Sequence, residues 1–251
     1  MLNLVKNVIN RERPVCTALV PAAGSSSRMG GIDKLFSVFG HKPVLAHTLL
    51  ALQETPDITY IVVASQPENF DRIRSLAAQY GISKLYAVVA GGDSRGATVQ
   101  AALAAAPKDT ELVAVHDAAR PLATPMLIGF CVRLAARTHA ALPCVPVKDT
   151  IKTVSGDIVT GTPERATLQM AQTPQVFQRH LLEVAYAKAE HEKLAYTDDA
   201  SVVEAMGMTV HICRGDYENI KITTPEDLIL AEAIWKGRTK CALDTDTMST
   251  D

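Results

Sequence analysis

The stretch Leu19–Phe36, LVPAAGSSSRMGGIDKLF, follows an apolar run with three nearly bare residues, Ala22, Ala23 and Gly24, and ends with two cations, Arg28 and Lys34. A loop without side chains lets backbone N–H groups approach a ligand closely, and such groups suit phosphate oxygens. Arg28 and Lys34 add fixed positive charge. The loop is neither a P-loop nor a GxGxxG turn, because Gly30 is followed by Gly31 and no lysine comes before Lys34. Alone, it reads equally well as a solvated turn with two surface cations.

Three further stretches shift that balance. VAGGDSRGATV (89–99) is a second glycine turn, holding Gly92, Asp93 and Thr98, between an apolar run and a helix-like segment. VHDAARP (115–121) puts Asp117 at the end of an apolar strand, where an isolated carboxylate is costly unless paired or metal-bound. ENIKITTPEDL (218–228) puts Asn219 and Lys221 near the exit of a late strand. Each alone is more readily structural. On one edge of a sheet they would supply metal oxygens, phosphate cations and backbone for a base, the equipment for a nucleoside triphosphate with Mg²⁺. His116 adjoins Asp117 but strand alternation points it to the opposite face, so it reads as structural.

The surrounding elements are those that would create such an edge. Short Val/Ala/Ile runs alternate with amphipathic stretches: TALVPA, ITYIVVAS, KLYAVVA, ELVAVHD and AALPCVPV as strands, and VLAHTLLALQET, ENFDRIRSLAAQY, ATVQAALAAA and PMLIGFCVRLAARTH as helices. That pattern predicts an α/β fold, a doubly wound, mostly parallel sheet covered on both faces, with ligands at the strand exits. From Lys148 to about Thr173 the alternation gives way to a β-rich arm with a Ser-Gly-Asp turn. Helices resume around 181–192 and 199–205, the strand TVHICR follows, and a last helix begins after Thr224, an expected N-cap with Pro225 first and Asp227 third. One domain is expected over residues 14–237, with 1–13 and the polar stretch 238–251 as flexible extensions.

With 251 residues and a formal net charge of −2, the chain is long enough for a large core and carries no bias toward nucleic acid or a membrane surface. No secretory signal or membrane span is read, and the five scattered cysteines suit reduced core positions in a cytoplasmic protein.

PAAGSSSRMG…DKLF, GGDSR, VHDAARP, VPVKDTIK, QTPQVF, TDDAS and NIKIT.PEDL, in that order, resemble the 2-C-methyl-D-erythritol 4-phosphate cytidylyltransferase family over about Thr17–Trp235. The resemblance implies a nucleotidyltransferase, Rossmann-like sheet and transfer of CMP from CTP to the sugar phosphate in the non-mevalonate isoprenoid route. It also implies Mg²⁺ as cofactor and a homodimer whose arms reach into partner sites. By motif position it assigns Arg28 and Lys34 to the triphosphate and its transition state, and Ala22, Ala23 and Gly24 to wrapping the nucleotide. Gly92, Asp93 and Thr98 fall to the base, Asp117 to the metal, and Thr150, Arg165 and Lys221 to the sugar phosphate. Asp33-Lys34-Leu35 departs from the Pro-Lys-Gln of many relatives.

The attacking phosphate oxygen is already an anion, which accounts for a site with Arg, Lys and Asp but no evident His base. A cytidylyltransferase for another polyol phosphate, such as ribitol 5-phosphate, remains an alternative, although such relatives tend to carry Ser-Val at Ala118-Ala119. A non-catalytic nucleotide-binding module is the other, and its signature would be loss of Arg28, Lys34 or Asp117.

Overall fold

The computed structural model describes residues 13–24 and 33–247, with side chains to residue 240. Arg28 and the expected N-terminal extension up to residue 12 lie outside the described residues. In chain order the elements are β1 (Cys16–Ala22), β2 (Val38–Phe39), β3 (Lys42–Pro43), α1 (Val44–Glu54), β4 (Tyr60–Ser65), α2 (Phe70–Gln79), β5 (Leu85–Ala90), α3 (Arg95–Ala104), β6 (Leu112–Val115), α4 (Pro125–Thr138) and β7 (Ala140–Pro146). A hairpin of β8 (Thr153–Ser155) and β9 (Ile158–Gly161) follows, then β10 (Gln169–Ala171), β11 (Gln175–Gln178), α5 (Arg179–His191), α6 (Asp199–Glu204), β12 (His211–Arg214) and α7 (Pro225–Thr247).

The main sheet runs β10-β7-β11-β6-β1-β4-β5, with β12 on the other side of β7. β5, β4, β1 and β6 are parallel, and β12 is parallel to β7, as the continuous apolar runs predict. Alternation along the central strands divides the core. Ala18, Val20, Ile61 and Val63 face α1, α2 and α4, while Leu19, Val62 and Val113 face α3, α5 and α6. The doubly wound class holds.

Three expectations need correction. The arm is shorter than 148–173: β8 and β9 stand apart as their own hairpin, turning at Gly156 with φ +55°, but β10 returns to the main sheet. β11 then inserts antiparallel between β6 and β7, pairing Gln175 with Val115. Its QVFQ sequence alternates too briefly to betray that it is central rather than peripheral. The stretch expected to be irregular after Gly237 is helical to Thr247, because a single glycine costs a helix only about 1 kcal/mol and no proline follows it. Thr224 immediately precedes α7, in the N-cap place expected for it, and the carboxylate of Asp227, third in the helix, accepts the N–H groups of Thr223 at 2.8 Å and Thr224 at 2.9 Å. Pro225 stands first in the helix, as expected.

Candidate active site

The exits of β1, β4, β5 and β6 converge on one cleft of about 550 Å³. Of the residues singled out in the sequence, Ala22, Ala23, Gly24 and Lys34 line it from the first loop, Gly92, Asp93 and Thr98 from the second turn, and Asp117 and Lys221 from the late loops. Thr150 and Arg165 do not line it. Both are exposed on the arm, where Arg165 donates to the Lys148 carbonyl at 2.9 Å.

The two turns are built against each other. A Cβ on Gly91 would fall 2.4 Å from that of Ala23, so only glycine lets the second turn lie on the first. Gln66, just past β4, donates to the Ala23 carbonyl at 2.9 Å, and the Ser65 hydroxyl donates to that of Ala22 at 3.2 Å. These bonds fix the carbonyls of the bare loop and so the direction of its amides. In the second turn Ser94 caps α3, accepting from Ala97 N–H at 3.1 Å. The Thr98 hydroxyl is engaged within this turn: it accepts Gly92 N–H at 3.2 Å and donates to the Ser94 carbonyl at 2.8 Å.

Asp117 sits two residues beyond β6, only 8% exposed. Lys221 Nζ lies 2.9 Å from its Oδ2, Arg120 Nε 3.5 Å from the same oxygen, and an Arg95 nitrogen 3.6 Å from Oδ1. Burial opposes ionisation, but Lys221, Arg95 and Arg120 outweigh it and hold the carboxyl at about 2, against an ordinary 3.8. The loop carrying Asp117 is pinned from three sides. Thr48 of α1 donates to the Ala118 carbonyl at 2.9 Å, Ile222 N–H to that of Ala119 at 2.8 Å, and Asp117 N–H to the Thr173 hydroxyl at 3.1 Å.

The QTPQ segment (172–175) is a hub. Gln172 exchanges two hydrogen bonds with the backbone of Asp216, at 2.7 and 3.2 Å, and the Thr173 carbonyl accepts from Asn219 Nδ2 at 3.0 Å. All three bonds hold the loop that delivers Lys221. Gln175 bonds Asp198 Oδ2 at 2.7 Å and Ala200 N–H at 2.9 Å, tying α6 to the same edge.

Sequence reasoning missed Gln66, Arg95 and Arg120. The signal for Gln66 was its place at a parallel-strand exit; for the arginines it was their places in the glycine and aspartate motifs.

His116 is fully buried, as its structural reading required, between the Thr173 hydroxyl at Nδ1 (2.9 Å) and the Arg120 carbonyl at Nε2 (3.3 Å). Because Thr173 accepts Asp117 N–H, its own proton goes to Nδ1, which makes His116 the neutral Nε2–H tautomer. Burial, aided by Arg120 and opposed by Asp117, lowers its pKa to about 4. A folded pKa below the ordinary 6.5 means that the unfolded chain takes up the proton first. Stability is therefore expected to fall as pH drops from 6.5 to 4, at up to about 1.4 kcal/mol per unit from this group. Urea unfolding across that range checks this: His116→Gln should flatten the slope, and an unchanged slope would assign it elsewhere.

The family model described as IspD, 2-C-methyl-D-erythritol 4-phosphate cytidylyltransferase, matches residues 16–237. The enzyme of that name from Halalkalibacterium halodurans is 45% identical over 219 residues, 87% of this chain and 96% of its own. The one from Desulforamulus reducens is 44% identical over 224 residues, 88% and 96% of the two chains. Among solved structures, the 4-diphosphocytidyl-2C-methyl-D-erythritol synthase of Anaerococcus prevotii superposes with a TM-score of 0.79 at 29% identity, covering 88% of this chain and 96% of that one.

Proposed function

The chain belongs to the 2-C-methyl-D-erythritol 4-phosphate cytidylyltransferase family, and on that premise we propose how its cleft joins CTP to 2-C-methyl-D-erythritol 4-phosphate. The reaction gives 4-diphosphocytidyl-2-C-methyl-D-erythritol and pyrophosphate, a step toward isoprenoid precursors by the non-mevalonate route. The observation that carries the reading is the ionised Asp117, ringed by Lys221, Arg95 and Arg120, on the same wall as two backbone turns.

An oxygen of the acceptor's phosphate attacks the α-phosphorus of CTP. The bond from that phosphorus to the bridging oxygen breaks, and pyrophosphate leaves with the bonding electrons. The nucleophile is already an anion, so no side chain has to take a proton, and the neutral, buried His116 is not needed for one. The barrier is the approach of anions in line. Lys34 and Arg28 meet the charge on the triphosphate, Lys221 orients the acceptor, and the two turns hold the nucleotide through backbone groups. Gly92 and Asp93 face the base.

Mg²⁺ is the proposed cofactor. Among the described residues no three His, Cys, Asp or Glu side chains converge on a metal position. The hard oxygens at hand are the Asp117 carboxylate and the buried Asn219 Oδ1, which has no hydrogen-bond partner. That donor set fits an ion held by one or two protein oxygens plus substrate phosphates, which is how Mg²⁺ is commonly bound. When bound, the ion supplies charge neutralisation of the phosphates. Four free, buried thiols, at Cys16, Cys131, Cys144 and Cys213, suit a reducing cytoplasm.

The test is pyrophosphate release from CTP and Mg²⁺ with a panel of polyol phosphates. Turnover with 2-C-methyl-D-erythritol 4-phosphate at least about a hundredfold above ribitol 5-phosphate is expected, a preference worth about 2.7 kcal/mol. The reverse order would move the enzyme to the other acceptor.

The working unit is proposed to be a homodimer. Val154, Ile158 and Val159 on the arm are more than half exposed, and an isolated two-stranded hairpin buries such residues poorly. If Thr150 and Arg165 complete the partner's site, mixing Arg165→Ala with Asp117→Asn should restore activity. The heterodimer has one site with both lesions and one with neither. About half of a statistical mixture is heterodimer, so roughly a quarter of wild-type activity is expected. Activity held at single-mutant level, with subunit exchange shown separately, would put Arg165 in its own subunit's service or in none.

A further inference from the structure

The TDDAS motif contributes no group to the cleft wall, yet it contains a fully buried carboxylate, Asp199, at the first position of α6. Its Oδ2 lies 2.6 Å from an Arg95 nitrogen, and its Oδ1 accepts a short hydrogen bond from the Tyr186 hydroxyl. The same Arg95 nitrogen is 3.6 Å from Asp117 Oδ1, and Arg95 lines the cleft. One guanidinium thus stands between two carboxylates 82 positions apart in the chain (199 − 117 = 82), nearer to the buried one. We propose that Asp199 is a positioning residue for the reaction: it holds Arg95 on the wall of the nucleotide cleft and keeps it from collapsing onto Asp117. This rests on the reading that the cleft takes CTP.

Two features make the tether stiff. Tyr186 fixes the second oxygen of Asp199, so the carboxylate cannot turn to follow a moving arginine. Tyr196 lies against Gly96, where a Cβ would fall 2.0 Å from the phenol oxygen, so the first turn of α3 is wedged in place behind Arg95. With both ends of its span fixed, the guanidinium keeps its distance from Asp117. Without the Asp199 charge, Asp117 is the carboxylate within 4 Å that remains to it. It would then compete with Lys221 for an oxyanion that the site has other uses for.

The charge count makes the inference distinguishable from simple electrostatics. Arg95, Arg120 and Lys221 against Asp117 and Asp199 leave a net charge of +1 (3 − 2), and Asp199→Asn raises it to +2 (3 − 1). If charge alone mattered, that variant would take CTP better. A positioning role requires the opposite.

The experiment is a double-mutant cycle on kcat/KM for CTP, with Mg²⁺ and the acceptor in excess, alongside thermal unfolding of each variant. Asp199→Asn is expected to lower kcat/KM about tenfold. Arg95→Ala should lower it as much or more, and adding Asp199→Asn to it should change it less than twofold. The double variant should nonetheless melt above Arg95→Ala, because it no longer buries an unpaired carboxylate. Stability and activity then part company, which a merely structural role would not allow. Wild-type or higher kcat/KM in Asp199→Asn, or a second tenfold loss in the Arg95→Ala background, overturns the inference. Should Asp199→Asn fail to fold, Tyr186→Phe keeps the charge and loosens the tether. It should cost about threefold in the wild-type background and nothing beside Arg95→Ala, and an equal cost in both backgrounds overturns the inference as well. If the wild-type chain turned over no CTP with any polyol phosphate, the reading of the site would fall instead.

Discussion

Asp117→Asn is expected to lower kcat on the order of a thousandfold, the upper end of what losing one preorganised electrostatic group costs. The side chain is nearly isosteric, and the backbone that positions it is held independently through Thr173 and Thr48. The fold should therefore survive. What goes is the carboxylate on the cleft wall that pairs with Lys221, Arg95 and Arg120, together with the oxyanion proposed for Mg²⁺. Stability gives a second, independent signature. A carboxyl held at about 2 rather than 3.8 contributes roughly 2 kcal/mol in its ionised form. Because the folded pKa is depressed, that contribution is present in full above about pH 4 and disappears as pH falls through 2. At neutral pH the variant should melt about 4–8 °C below wild type, and the two should converge near pH 2. Near-normal kcat at saturating Mg²⁺ would remove Asp117 from the metal site. A melting difference independent of pH would remove the three cations as the cause of its stability.

What the sequence showed and what it hid divide along range in the chain. The glycine turns and Asp117 were legible because each follows its own apolar strand, and Lys221 because it lies near the exit of a late strand; a parallel sheet brings strand exits together without further information. The neighbours of Asp117 were not. Arg95 reaches it from another βα unit and is held by Asp199, 104 residues further along, a pairing that no local pattern encodes. Thr98 was legible as a cleft residue, but its engagement with Gly92 and Ser94 depends on the turn closing over the start of α3. The QTPQ segment read as part of an arm because it is short, polar and proline-bearing. Only the pairing of β11 between β6 and β7 shows that it lies at the centre, with Gln172 and Thr173 gripping the loop that carries Asn219 and Lys221.

Lys34→Ala is expected to lower kcat about a hundredfold while raising the KM for CTP no more than a few-fold, and Arg28→Ala to behave likewise. Lys34 is itself half-buried and stands on the cleft wall with Ala22, Ala23 and Gly24. On the proposed reading the ground-state triphosphate would be shared among backbone amides, cations and Mg²⁺, so one lysine would add little to affinity. During attack, charge gathers on the α-phosphate and on the departing pyrophosphate, and a preorganised ammonium there gains what the amides cannot supply. A contact stronger in the transition state than in the ground state lowers kcat and kcat/KM together when removed. Losing one such group costs about 3 kcal/mol, which sets the hundredfold. Lys34→Arg tests the point further: it keeps the charge but spreads it over a planar fork, so it should recover only part of the rate. If Lys34→Ala lost CTP affinity with kcat unchanged, the lysine would be a binding cation, and the stabilisation of the leaving group would have to come from elsewhere in the cleft.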